Sequence, residues 1–152
     1  GMMAEEAFIV STDSSLSKVE VIDLMVRLHI NAGHCTGEDS DGITTALKGR
    51  EEHGTTATEA MLGSALPHTK HIAFKAPKIS VAIFPKGVDF ESMTGDLVHL
   101  MVLVLGNPQQ PGEYLRVLEA SSRMLKPALK QRSALLSATS FQEFSEVVKS
   151  IA

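Results

Sequence analysis

Residues 98–105 read Val-His-Leu-Met-Val-Leu-Val-Leu, seven apolar side chains and one histidine in eight positions. A strand with one wet face alternates polar and apolar residues. A run this uniformly apolar is instead the pattern of a central strand covered on both faces. The rest of the chain must therefore supply cover above and below it. Two further segments read as strands: 79–84, β-branched and closed by Pro85, and the short 63–66, closed by Pro67.

The cover is written as helices. Over 16–30, Leu16, Val19, Ile22, Met25, Val26 and Ile30 recur on one face, with Ser17 and Glu20 spaced as a capping box and Gly33 as a stop. Residues 31–41 are polar and read as a connection. A second helix is predicted over 42–53, ending at Gly54, followed by a loop over 55–59. Leu115, Leu118 and Leu125 have helical spacing in 114–125, which Pro127 interrupts. A last helix opens on a capping box of Ser140 and Glu143 and buries Phe141, Phe144, Val147, Val148 and Ile151. Helices around a small strand set predict an α/β fold of layers, one domain over 1–152. Residues 1–14 are expected to be a poorly structured lead, with Gly1 the remnant of a cleaved tag.

Composition narrows the function. With 152 residues, 43% of them hydrophobic and 21% charged, the chain can fill one core without disulfides or a structural metal. Cys35 is the only cysteine, so no intramolecular disulfide forms, in keeping with a reducing compartment. The net charge is -4, Lys and Arg form no tract, and Trp is absent, which argues against a nucleic-acid groove. No apolar run reaches the roughly 20 residues of a membrane span. The acidic start lacks the basic region of a secretory signal.

Of the six histidines, His29, His34, His53 and His99 sit where helix-face or core histidines are ordinary. His68 differs. It follows Gly63-Ser64-Ala65-Leu66-Pro67. Pro67 fixes its own φ and biases Leu66 to an extended backbone, while the small residues before it allow another surface to approach. An imidazole is abundant in its neutral, nucleophilic form near pH 7 and can accept a phosphoryl group. His68 and His71 also form His-x-x-His, and with Cys35 or His34 they would make a zinc site. Such sites need three or four converging ligands, and the sequence shows no convergence.

The order Arg50-Glu51-Glu52, Gly54-Thr55-Thr56, Leu62-Gly63-Ser64-Ala65-Leu66-Pro67-His68 resembles the active-site signature of fructose/mannitol-type IIA components of the sugar phosphotransferase system. Phe84-Pro85-Lys86-Gly87-Val88-Asp89-Phe90, and the 98–105 strand with the helix after it, resemble further parts of that family. The resemblance implies a mixed sheet flanked by helices, of the phosphotransferase/anion-transport-protein type. It implies His68 as phosphoryl acceptor, Arg50 as the cation that offsets phosphate charge, and Thr56 as a hydroxyl donor. It also implies partner contacts through Met61, Leu62, Gly63 and Leu66. The donor is then the carrier protein HPr and the recipient a IIB domain or a regulated target, in the cytoplasm, with no nucleotide, cofactor or metal. Many members carry a second histidine at the start of the following helix, and Tyr114 takes that place here. The alternative is a nitrogen-regulatory or degenerate IIA-type regulator that docks and transfers phosphate poorly.

Overall fold

The computed structural model describes residues 3–55, 63–92, 94–126 and 131–151. In chain order the elements are β1 (Met3–Val10), α1 (Lys18–Asn31), α2 (Gly37–His53), β2 (Ser64–Ala65), β3 (His68–Lys70), β4 (Lys78–Val88), β5 (Val98–Gly106), α3 (Pro111–Met124), α4 (Arg132–Ser137) and α5 (Phe141–Ile151). They form a mixed sheet between two layers of helices, an α/β fold. The sheet order is β1-β4-β5, with β2 and β3 both on the far edge of β5. Among the described residues only the β4–β5 pair is antiparallel.

Strand β5 is covered on both faces, as its composition requires. Met101, Leu103 and Leu105 pack into one cluster with Val21, Met25 and Val26 of α1 and Ile43 and Leu47 of α2. Leu100, Val102 and Val104 pack into the other with Tyr114 of α3, Leu135 of α4 and Phe144 of α5. Each such side chain contributes about 1.5–3 kcal/mol on burial, so neither face tolerates a polar replacement cheaply.

The expected lead over 1–14 is in fact β1 from Met3 onward, paired in parallel with β4. Glu5 and Glu6 break the apolar pattern, but they are exposed charges on an edge strand, where charge blocks pairing with other chains. Inside, Ala7 joins the α1/α2 cluster, and Phe8 meets Phe141 and Phe144 at ring distances of 6.0 and 5.3 Å.

Other boundaries move for local reasons. Helix α1 has the expected capping box, Ser17 with Glu20. Val19, expected on its buried face, is exposed, as is Leu115 on α3. Helix α2 begins at Gly37, inside the expected connection. Thr36 donates its backbone N–H and its hydroxyl to the Asp39 carboxylate, at 3.2 and 3.0 Å, and so starts the helix early. Strand β4 runs past Pro85 to Val88 through an irregularity in its pairing, the kind of place where a residue without an N–H fits. Helix α3 starts on Pro111, which needs no donor there. At α5, Ser140 accepts from Glu143 N–H at 3.2 Å, but the Glu143 carboxylate turns to Thr139, so half of the expected box forms. Residues 56–62 and Pro127 lie outside the described residues.

Candidate functional site

The site lies on the β2–β3 edge of β5. Ser64 and Ala65 pair with Leu100 and Met101, and His68, Thr69 and Lys70 pair with Val104, Leu105 and Gly106. The register is the same on both sides of Leu66-Pro67, so these residues interrupt one edge strand without shifting it. Before the break, Gly63 has φ 74°, a left-handed value suited to glycine, and its carbonyl accepts from His99 and Leu100. At the break, Pro67 has no N–H to give, and its carbonyl accepts from Val104 N–H at 3.1 Å.

Leu66 carries the local chemistry through its backbone. Its carbonyl lies 2.7 Å from Nδ1 of His68. A carbonyl only accepts, so the proton sits on Nδ1 and the free lone pair is on Nε2. The side chain of Leu66, expected on a partner-facing rim, is instead buried with Leu100, Val102 and Val104.

The end of α2 approaches His68 from the other side. Arg50, Glu51, His53, Gly54 and His68 line one cavity of about 330 Å³. Arg50 is exposed in the last turn, where a cation offsets the negative end of the helix dipole. Glu51, its sequence neighbour, faces inward. Its carboxylate is 3.3 Å from Nζ of Lys18, and that ammonium lies 4.7 Å from the centroid of the Phe90 ring.

Tyr114 closes the site from the first turn of α3. It is 3% exposed, and its ring centroid is 6.5 Å from that of His68, tilted by 51°. It seats on Gly106, where a Cβ would come within 2.5 Å of Tyr114 Cδ1. Among the described residues its buried hydroxyl has no hydrogen-bond partner. Burial raises the phenol above its ordinary range, with the Arg50 guanidinium acting the other way, so Tyr114 is neutral at pH 7. Nζ of Lys70 stands 5.2 Å from the Tyr114 ring centroid.

The sequence expectations therefore separate. Arg50 and His68 share a cavity, Tyr114 packs beside His68, and Gly63 stands at the head of the edge strand. Thr56, Met61 and Leu62 lie outside the described residues. His71 belongs elsewhere: its Nδ1 accepts from Ala73 N–H at 3.0 Å, while Nδ1 of His34 lies 3.0 Å from Nδ1 of His29. Among the described residues no group of three or more His, Cys, Asp or Glu side chains is placed to hold a metal ion.

The structure adds two residues beside this site that sequence reasoning did not single out, His53 in the cavity and Lys70 against Tyr114. The signal for each was periodicity: His53 is three residues after Arg50 on a helix, and Lys70 two residues after His68 on a strand.

The chain resembles known proteins over nearly its whole length. The fructose-specific EIIA component of the phosphotransferase system of Haloferax volcanii is 29% identical over 135 residues, which cover 89% of this chain and 84% of that protein. The nitrogen regulatory protein IIA-Ntr of Neisseria meningitidis superposes with a TM-score of 0.79 at 20% identity, covering 97% of this chain and 96% of its own. The complex of enzyme IIAMTL with phosphorylated enzyme IIBMTL from Escherichia coli gives a TM-score of 0.68 at 16% identity, covering 97% of this chain and 96% of its own. These two structures share the fold. The family model for the phosphoenolpyruvate-dependent sugar phosphotransferase system, EIIA 2, matches residues 2–151, and the chain belongs to that family.

Proposed function

We propose that this protein is a phosphoryl carrier of the cytoplasm, a protein-histidine phosphotransferase component that takes a phosphoryl group onto Nε2 of His68 from an HPr-type carrier and delivers it to a IIB domain. The observation behind this reading is the hydrogen bond from Nδ1–H of His68 to the Leu66 carbonyl. It leaves Nε2 as the nucleophile, and Arg50 lines the same cavity.

The two steps balance without a further reactant. The Nε2 lone pair attacks phosphorus of the carrier's phosphohistidine. The Nε2–P bond forms as the old N–P bond breaks, and the departing imidazole keeps the electron pair. His68 retains its Nδ1 proton on the Leu66 carbonyl throughout. In delivery, a thiolate of the IIB partner attacks phosphorus, the S–P bond forms, and Nε2 recovers its lone pair. The transferring group bears charge on its outer oxygens, and Arg50 is the residue to offset it. Thr56 stands as a hydroxyl donor to that group, and Met61, Leu62 and Gly63 as partner contacts, on the family resemblance.

A second reading has an observation of its own. At neutral pH Tyr114 brings no positive charge, whereas the second family histidine would. On that ground the protein is a docking regulator in which phosphorylation, if slow, acts as a switch by adding a dianion to the surface.

Incubation with phosphoenolpyruvate, enzyme I and HPr, followed by intact mass, separates the two. One added phosphoryl group on the wild type, absent in His68→Ala, supports the carrier. No gain while HPr itself is phosphorylated leaves the regulator.

A further inference from the structure

We infer that Lys70 is a second cation of the phosphoryl site, resting on the ring of Tyr114 while His68 is free and turning to the phosphoryl oxygens once His68 is phosphorylated. The inference rests on His68 being the acceptor, as proposed above.

The strand geometry makes Lys70 available. In β3, His68, Thr69 and Lys70 alternate, so His68 and Lys70 leave the same side of the strand while Thr69 is buried between them. Tyr114 bridges the two: its ring centroid is 6.5 Å from the His68 ring and 5.2 Å from Nζ of Lys70. Lys70 is exposed, and among the described residues its ammonium meets no carboxylate and no hydrogen-bond acceptor. It is an uncommitted charge beside the reacting ring.

The relative strengths of two contacts set the direction of movement. An ammonium that stays exposed to water, as that of Lys70 does, is weakly held by the face of a phenol ring. A phosphoryl group on His68 brings a dianion with three acceptor oxygens, and a charge-assisted hydrogen bond to it is the stronger contact. Lys70 therefore exchanges the ring for the phosphate when the phosphate arrives. Arg50 from α2 and Lys70 from β3 then approach the group from two elements. Tyr114 is a positioning residue in this arrangement: it keeps the ammonium close to His68 and supplies no charge itself. This accounts for a neutral phenol beside His68 without giving up the second positive charge.

Chemical phosphorylation tests the inference without a protein partner. Potassium phosphoramidate serves as donor: Nε2 attacks phosphorus, the bond to nitrogen breaks, and ammonia leaves with the proton it acquires. Uptake is followed by intact mass and by phosphorus NMR, with folding checked by circular dichroism. The expected result is a rate roughly tenfold lower in Lys70→Met, recovered largely in Lys70→Arg. Tyr114→Leu slows uptake by a similar factor, and the double variant is no slower than either single one. Added NaCl slows the wild type more than Lys70→Met. Since position 70 is exposed, Lys70→Met is decisive even where the buried Tyr114→Leu fails to fold.

Uptake by Lys70→Met at the wild-type rate overturns the inference, as do losses that multiply in the double variant. A defect seen only with phospho-HPr makes Lys70 a docking residue and also overturns it. Uptake from phosphoramidate but not from HPr sinks the carrier reading alone and leaves the Lys70 comparison standing. No uptake from either donor sinks both.

Discussion

His68 and His29 are the same side chain in opposite settings. His29, in α1, is fully buried, with Nδ1 3.0 Å from Nδ1 of His34 and its ring edge-on to Phe74 at 5.6 Å. Two Nδ1 atoms at that distance need one proton between them, so each ring fixes the tautomer of the other. His68 is fixed by a backbone carbonyl instead and lines an open cavity, and among the described residues no hydrogen bond claims its other nitrogen. Both rings are held. The difference is whether a reactive lone pair faces a space that another molecule can enter. Burial lowers the pKa of His29 to about 3, with His34 adding to the effect, and such a ring serves the core and not chemistry.

That contrast is broken most directly at His68. His68→Ala is expected to show no phosphoryl gain by intact mass while its unfolding free energy stays within about 1 kcal/mol of wild type. His29→Ala is the mirror case. It is expected to lose about 2–4 kcal/mol in urea unfolding, because a fully buried ring leaves a cavity, and to keep phosphoryl uptake at His68.

Gly106→Ala sharpens the His68 side. The added Cβ collides with Tyr114, so a cost of about 1–3 kcal/mol is expected, along with a shift of the Tyr114 ring signals in NMR. The mildest test is acid. The folded pKa of His29 lies below the unfolded value, so between about 6.5 and 3 the unfolded chain binds the extra proton. Stability is complete above about pH 6.5 and falls as the pH drops towards 3, by up to roughly 1.4 kcal/mol per pH unit from this group. The depressed pKa of His34, again from burial, steepens the fall. Urea midpoints at pH 7, 6 and 5 measure it, and His29→Ala is expected to flatten the slope.

How much of this was legible depended on whether the signal was local. The 98–105 run announced a doubly covered strand, and Ser17 with Glu20 announced the start of α1, because both patterns are complete within a few residues. An ordered set of short motifs put Arg50 and His68 together, and the fold brings them to one cavity. Strand β1 was not, because Glu5 and Glu6 obscure its alternation and only the edge position explains them. Lys70 depended on a three-residue strand and on a helix 44 positions further along (Lys70 to Tyr114) to give its ammonium a neighbour. The turn of Glu51 towards Lys18, and the meeting of His29 with His34, are likewise products of packing. Sequence periodicity specifies which face a residue takes, and tertiary structure decides which residue it meets there.

The interruption at Leu66-Pro67 ties the tautomer of His68 to the integrity of a sheet edge. Val104 N–H closes on the Pro67 carbonyl one residue after Leu66 turns its own carbonyl to the imidazole. Fraying of this edge would free the Nδ1 proton from the Leu66 carbonyl and let the ring exchange tautomers, so that the lone pair is fixed on Nε2 only while the strand is zipped. The amide of Val104 is thereby a clock for that tautomer: its solvent exchange records how often the edge opens beside the histidine.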